Sequence, residues 1–107
     1  MARPAELVPI DVADRICEHL AGGETLRDFC RGEGFSVSRV YHWLRKDEQF
    51  ATRYARARAD GAHAIAEDLL AIADNATEET VQTARLRADV RKWLLARWLP
   101  SHYGSDR

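Results

Sequence analysis

The chain has 107 residues and a formal net charge of −1, so it has room for one compact domain, or for a small domain with an appendage. Its near-neutral charge excludes a histone-like polycation, and its longest apolar runs are too short for a membrane span. Its two cysteines give no disulfide framework and its N-terminus lacks a signal-peptide core, so we expect a cytoplasmic protein.

The predicted elements are all helices, because β-branched residues are sparse and no strand-like alternation stands out. Glycines, a serine cap at Ser36 and the polar segment 74–80 mark where helices end and begin. We expect Thr77 and Thr80 to supply the capping groups of the last helix. The five helices cover, in chain order, about Asp11–Ala21, residues 26 to the glycines at 32–34, Ser36–Lys46, Asp47–Ala73, and a last segment that stops at Pro100 after Leu99.

Charge alternates along the chain. Residues 61–80 carry five acids and no lysine or arginine, whereas residues 81–107 carry six bases against two acids. Residues 25–46 hold five bases against two acids. This alternation indicates electrostatic matching between elements or between subunits, and it leaves one copy only a modest basic patch for nucleic acid.

The last helix is unusually apolar. Its pattern predicts one face with Val90, Trp93, Leu94 and Trp98, and a second face with Leu86, Leu95 and Leu99. A simple hairpin with the preceding helix needs only one apolar stripe. The surplus leaves two interpretations open: packing on the first three helices, or a subunit interface. We favour the interface, because tryptophan is a preferred interface anchor.

The segment from Leu26 to Lys46 has the spacing of a helix-turn-helix. Cys30 is small enough for a second helix to approach closely, and Gly34 suits a tight turn. Val40, Trp43 and Leu44 would then face inward on the third helix. The predicted DNA-binding residues are on the opposite face, at the tip of the third helix and at the start of the second: Arg27, Ser36, Ser38, Arg39, His42, Arg45 and Lys46.

This predicted face carries few bases and no asparagine or glutamine for reading adenine. One copy could neutralise only a few phosphates, so we expect weak, salt-dependent binding with little sequence preference, raised by avidity if several copies act together. For Tyr41, the pattern leaves open a place at the edge of the core or a contact with the DNA backbone.

No other group of residues predicts a metal site, a phosphate-binding loop or a catalytic site. Cys17, His19, Cys30 and His42 lack the spacing of a zinc site, and the Gly32–Gly34 segment has no preceding strand that would make it a phosphate-binding loop. No catalytic arrangement can be assembled from the polar helix faces. We therefore expect neither an enzyme nor a metal or cofactor site.

At this point the sequence resembles the small subunit of phage DNA-packaging terminases. The resemblance is in the helix-turn-helix "TLRDFCRGEGFSVSRVYHWLRKDEQFATRYARAR", in "LLAIADN" and, most specifically, in "ARLRADVRKWLLARWLPSHYG". It implies an all-α fold with three parts: a helix-turn-helix DNA-binding domain over residues 1–46, a helical hairpin over 47–100 that oligomerises, and a short tail over 101–107.

The resemblance also implies partners and a location. These are double-stranded DNA, a large terminase subunit with ATPase and nuclease activity, and identical copies in a ring, often eight to ten, in a bacterial host cell. The predicted ring interface comprises Leu69, Ile72, Leu86, Val90, Trp93, Leu94 and Trp98. Members of this family commonly continue past the Tyr-Gly segment, whereas only residues 105–107 follow here, so we expect the large subunit to use another surface. The predicted DNA-binding face also carries few bases. Together, the short C-terminal segment and this face suggest a reduced small terminase subunit, such as one from a phage-derived gene transfer agent.

Two other classes stay open from the sequence. A dimeric helix-turn-helix transcriptional regulator would need a stronger reading face and a symmetric dimer at operator spacing. A structural adaptor would bind protein through the same motif and have no DNA affinity even at low salt. A mass in solution well above that of a tetramer would favour the ring.

Overall fold

The structure, a computed structural model, describes Pro4 and residues 6–104. Within this part of the chain there are helices and no strands, so the all-α prediction is confirmed. The helices are α1 Ile10–Ala21, α2 Leu26–Glu33, α3 Val37–Lys46, α4 Glu48–Asp74, α5 Val81–Trp98 and α6 Pro100–Tyr103. Residues 105–107 of the predicted tail lie outside the described residues. None of the described helices has the length and apolar character that crossing a membrane requires.

Contacts between residues divide the chain into two compact units, Met1–Gly61 and Ala62–Arg107. The division falls inside α4, whereas the predicted domain boundary follows Lys46. The difference arises because Phe50 and Ala57 of α4 are part of the same buried cluster as residues of α1, α2 and α3. The first turns of α4 therefore complete the core of the first unit.

The core of the first unit is built from the inward stripes of its helices. Val12, Ile16 and Leu20 of α1 are buried at steps of four residues, as helical periodicity requires. Thr25 caps α2, since its Oγ1 accepts a hydrogen bond from the amide of Asp28 at 3.1 Å. Burial of such stripes, at about 25 cal/mol per Å² of apolar surface, holds the first unit together.

Two residues fix how α4 joins this core. Asp47 is buried; its amide donates to the Trp43 carbonyl at 2.7 Å, and its Oδ1 accepts from the amide of Phe50 at 3.1 Å. One residue thus ends α3 and caps α4. At Gly61, a Cβ atom would overlap the backbone carbonyl oxygen of Leu20. Glycine is therefore required for the close approach of α4 to the end of α1.

The second unit is a helical hairpin made of the end of α4 and α5. An ion pair joins Arg91 to Asp68 at 3.9 Å, and the Tyr103 hydroxyl lies 2.7 Å from Nδ1 of His63. His63, the earlier of the two α4 residues, is near Tyr103, which follows α5, whereas Asp68 further along α4 pairs with Arg91 within α5. The two arms of the hairpin therefore run antiparallel. The predicted capping of α5 is wrong: the amides of Thr77 and Thr80 each donate to the other residue's hydroxyl, at 2.9 and 3.3 Å, but Thr80, at the N-cap of α5, makes no side-chain hydrogen bond to that helix.

The end of the chain differs from the prediction. Pro100 does not simply stop the helix; it stands at the start of a short helix, α6, which the sequence analysis assigned to a tail. Proline is favoured at the first helical position because its missing amide hydrogen would have no partner there. The backbone breaks at Leu99, and the chain then continues for one helical turn.

Candidate nucleic-acid interface

The turn between α2 and α3 is built by three consecutive residues. Gly34 has φ +80°, in the left-handed region that favours glycine, and its amide donates to the Cys30 carbonyl at 2.8 Å. The Phe35 amide donates to the same carbonyl at 3.1 Å. Ser36 then begins α3, since its Oγ accepts from the amide of Arg39 at 3.1 Å. The predicted turn and cap are confirmed.

The inner face of α3 is anchored in the core. Val40 and Trp43 are buried, and Leu44 is half-buried. An aromatic stack supports the turn: Phe35 lies 6.4 Å from Phe29 and meets Trp43 edge-on at 5.7 Å, measured between ring centroids. These contacts fix the rotation of α3 about its axis, which determines which side chains it presents to solvent.

All seven predicted DNA-binding residues are exposed in the structure. The set is Arg27, Ser36, Ser38, Arg39, His42, Arg45 and Lys46. Of the members on α3, Ser38, His42 and Arg45 lie on the face opposite Val40, with Arg39 and Lys46 at its border, and Arg27 lies in the first turn of α2. The first turn of α3 contains no acidic residue. The third helix therefore presents an exposed face that carries bases and has no acidic residue in its first turn.

Ion pairing distinguishes the predicted DNA-binding residues from three other arginines of the first unit, which pair with carboxylates. Arg15 pairs with Asp11 and Glu33, both at 3.1 Å. Arg31 pairs with Asp28 at 3.2 Å, and Arg53 with Asp14 at 2.8 Å.

In contrast, no carboxylate among the described residues pairs with Arg27, Arg39, Arg45 or Lys46. The guanidinium of Arg39 lies 6.0 Å from the centroid of the Trp43 ring, a contact with an aromatic ring and not with a carboxylate. Unpaired bases are those that release counterions when they meet phosphate, so this face is electrostatically suited to DNA.

The cysteines near this surface are structural. Cys17 and Cys30 are buried free thiols, and burial raises the pKa of both. For Cys17 the positive charge of Arg53 acts in the opposite direction and is the smaller effect. In Pro4 and residues 6–104, no three histidines, cysteines or carboxylates are grouped so that they could hold a metal ion.

Tyr41 is 49% exposed, which is compatible with either of the two places that its pattern left open. It is close enough to Tyr54 of α4 to interact with it electrostatically. There Arg58 donates to the Tyr54 hydroxyl at 2.9 Å and lies 5.5 Å from the centroid of the same ring. The apolar pattern predicts Tyr54 only as a core residue and gives Arg58 no role, although their spacing of four residues is the spacing of paired helix neighbours.

The second unit presents the apolar surface that the sequence analysis assigned to an interface. Leu86, Val90 and Trp93 are 64%, 48% and 55% exposed and form one stripe along α5. Leu69, Ile72, Leu94 and Trp98 of the predicted set are half-buried. The predicted grouping of Leu86 with Leu95 is wrong: Leu95 is buried in the second unit and lies about two and a half turns from Leu86, on the opposite side of α5.

Two residues of this surface were missed. Leu70 on α4 is 70% exposed, the most exposed large apolar side chain among the described residues. Arg97 extends the stripe on α5, and its guanidinium lies 3.9 Å from the centroid of the Trp93 ring. The four-residue step from Trp93 to Arg97 could have indicated this pair, whereas nothing in the pattern singles out Leu70.

A helix-turn-helix with an unpaired basic face, in the same chain as a hairpin with an exposed apolar stripe, is a combination typical of DNA-binding proteins that oligomerise. Comparison with known proteins specifies it. The family model described as "Bacteriophage Sf6, terminase small subunit-like" matches residues 9–107. The chain therefore belongs to this family, and its membership supports a role in DNA packaging.

Solved structures give the same result. A crystal structure of the terminase small subunit gp1 of the bacterial virus Sf6, carrying an aspartate-to-arginine mutation, matches with a TM-score of 0.83 and 42% sequence identity, covering 95% of this chain and 81% of that one. Structures of gp1 with a lysine-to-glutamate and with an arginine-to-alanine mutation each match with a TM-score of 0.83 and 43% identity, covering 97% and 82%. A search of curated proteins finds no match.

Proposed function

We propose that this chain is a small terminase subunit that forms a homo-oligomeric ring. In this proposal the ring binds double-stranded DNA weakly, with little sequence preference, and delivers it to a large terminase subunit in the cytoplasm of the bacterial host. The helix-turn-helix, residues 1–46, contacts DNA, and the hairpin, residues 47–100, builds the ring. The chain itself carries no catalytic role.

The unpaired bases of α3 carry the DNA-binding part of this proposal. Arg39, Arg45 and Lys46 are exposed on one face, while the arginines of α1 and the last turn of α2 are neutralised by carboxylates. A protein that bound only protein through this motif would have no need to keep these charges unpaired. Because the face has no amide side chains for reading adenine, phosphate contacts dominate, and these are insensitive to sequence.

The exposed stripe of α5 supports the ring. Apolar side chains of this size on a helix normally face a partner, and Trp93 with Arg97 has the composition of an interface hot spot. Glu67, Asp74, Glu78 and Glu79 lie towards the turn of the hairpin, and α5 carries bases. An acidic end of one copy against a basic helix of the next makes a head-to-tail interface, which closes into a ring.

The test is DNA binding measured by fluorescence anisotropy on a labelled duplex over a range of salt concentrations. Arg39→Ala and Arg45→Ala should each weaken binding and lower the slope of log affinity against log salt by about 1 for each engaged subunit. Arg31→Ala is the matched control, since it removes an arginine of the same unit that pairs with Asp28. A scrambled duplex should bind as tightly as the original.

Two results would contradict this proposal. Absence of DNA binding by the unmodified chain at low salt would favour an adaptor that binds protein. A mass in solution equal to a dimer, with tight selection of one short site, would favour a transcriptional regulator. Light scattering coupled to size exclusion separates the dimer from a ring.

A further inference from the structure

The base of the hairpin in the second unit brings together two of the chain's four histidines. His63 lies on α4, one residue after the start of this unit, and His102 lies on α6. Their ring centroids are 5.1 Å apart. Both side chains are exposed, so the pair is accessible to a ligand from solvent.

Each of these two rings is held through its Nδ1 atom. Nδ1 of His63 lies 2.7 Å from the Tyr103 hydroxyl, and Nδ1 of His102 lies 3.0 Å from Oγ of Ser101. A hydroxyl oxygen accepts a hydrogen bond as readily as it donates one, so both imidazoles can carry their proton on Nδ1 and donate it to these oxygens. In that tautomer both Nε2 atoms keep a free lone pair. Histidines that bind a metal are oriented in the same way, with the second ring nitrogen donating to an oxygen.

The separation of the two rings suits a shared metal ion. Zinc binds histidine nitrogen at about 2.0–2.1 Å, so two imidazoles on one tetrahedral ion have their ring centroids about 5 Å apart. The centroids of His63 and His102 are already at 5.1 Å, with their ring planes at 83°. The χ2 torsion of histidine is soft, so these exposed rings can rotate to point both Nε2 atoms at one ion.

We propose that His63 and His102 form a binding site for one divalent transition-metal ion of the kind that imidazole prefers, with Zn²⁺ as the representative, and that this ion fastens α6 to α4. Tyr103 and Ser101 are positioning residues, because they act through the two rings. Water completes the coordination, since within Pro4 and residues 6–104 no third histidine, cysteine or carboxylate joins the group. The sequence pattern predicts no metal site, because these histidines are far apart along the chain.

Such a link would act where packing contributes little. Among the described residues of the second unit, the buried hydrophobic ones are Ala62 and Leu95. An ion that binds α4 and α6 only when they are folded together stabilises the folded state by mass action. Zn²⁺ should therefore stabilise the second unit as well as bind to it.

The first test is titration of the full chain with Zn²⁺ alone, followed by isothermal calorimetry. The unmodified chain should show saturable binding of a single ion per chain. His63→Gln and His102→Gln should each abolish it, because either change leaves only one imidazole. His42→Gln, which removes a single exposed histidine of the first unit, is the control and should bind Zn²⁺ like the unmodified chain.

Two further measurements separate a built site from a chance pair of surface histidines. Tyr103→Phe keeps both imidazoles and removes the hydroxyl beside His63, so it should weaken Zn²⁺ binding about tenfold. Mg²⁺ should not bind in place of Zn²⁺, because it prefers oxygen ligands. Zn²⁺ should raise the Tm of the unmodified chain with increasing concentration and leave that of His63→Gln unchanged. Circular dichroism without metal verifies that each variant is folded.

Three results would overturn the site. The first is no saturable Zn²⁺ binding by the unmodified chain, and the second is equal binding by His63→Gln and the unmodified chain. The third is one ion for every two chains, because histidines of different copies would then share it. None of these measurements contains DNA, so the metal site and the proposed packaging function stand or fall separately.

Discussion

In the first unit, residues 1–61, three helices and the first turns of α4 close around one continuous core, whereas in the second unit most large apolar side chains touch solvent. Among the described residues, Ala62 and Leu95 are the buried hydrophobic residues outside the first unit. The first unit thus buries the apolar stripes of its helices in its own core and presents charged side chains to solvent. The second presents an apolar stripe on α5 that its own helices do not cover.

This difference indicates where each unit obtains its stability. A continuous core contributes free energy within one chain, so the first unit should unfold independently of protein concentration. An uncovered stripe contributes only when a partner buries it, so the stability of the second unit should depend on concentration. Substitutions in each unit and a titration with pH test this contrast.

The largest effect is expected from Val90→Glu, which places a charge at the centre of the exposed stripe. Burial of an unpaired carboxylate is strongly unfavourable, so assembly should fail and the mass should fall to the 12.2 kDa of one chain. Light scattering behind size exclusion measures this.

The control for Val90→Glu is Gln49→Glu, the same change of charge at an exposed position of the first unit. It should leave the mass unaltered. An assembly that survives Val90→Glu would mean that another surface holds the copies together, and the contrast between the units would lose its explanation.

A smaller effect is expected from Gly61→Ala, which disturbs the core of the first unit. The added Cβ overlaps the Leu20 carbonyl oxygen, so α4 must move away from α1. Overpacking of this kind costs about 1–3 kcal/mol in the free energy of unfolding. Urea denaturation followed by circular dichroism measures the loss.

Gly32→Ala is the matched control, because a Cβ there meets no atom within 4 Å and the position is inside α2. That substitution should be neutral or stabilise by about 0.5–1 kcal/mol. Equal destabilisation by both changes would show that loss of glycine itself, and not the close approach of α4, determines the result.

The smallest effect is a dependence on pH that belongs to the first unit. The pKa values of Cys17 and Cys30 are raised by burial, so the folded chain holds these protons more strongly than the unfolded chain. Their contribution to stability is complete below the unfolded pKa, near about 8.5–9, and is lost as the pH rises through the folded values. The free energy of unfolding should therefore decline above about pH 9.

The double variant Cys17→Ala, Cys30→Ala should show a shallower decline between about pH 8 and pH 10, whatever its absolute stability. Denaturation at fixed protein concentration over this range measures both slopes. Identical slopes would mean that the two thiols do not contribute, and that tyrosines such as Tyr54, whose pKa is also raised, account for the decline.

Local signals were sufficient to predict most of the fold. Ser36 and Gly34 act within three or four residues of themselves, and the structure confirms both. The exposed face of α3 followed from periodicity, because its buried positions are unambiguous. Ion pairs such as Arg53 with Asp14 join residues 39 positions apart, so the pattern of paired and unpaired arginines could not be predicted without the fold.

Periodicity failed where apolar residues surround a helix. On α5 they occur on nearly every side, so the pattern could not decide that Leu95 faces inward and Leu86 outward. At Pro100 the same residue type can end one helix or begin the next, and the sequence favours neither. The pairing of Tyr54 with Arg58 was not predicted, because Tyr54 was counted only among the apolar positions that mark the buried side of α4.

The single-residue connection at Asp47 has a mechanical consequence. The residue bonds backwards to Trp43 and forwards to Phe50, and it is buried, so no flexible linker lies between α3 and the first turns of α4. A longer connection would let α3 rotate independently of the first turns of α4. Here the two are joined rigidly within the first unit, so a force applied to α3 is passed directly to the first turns of α4.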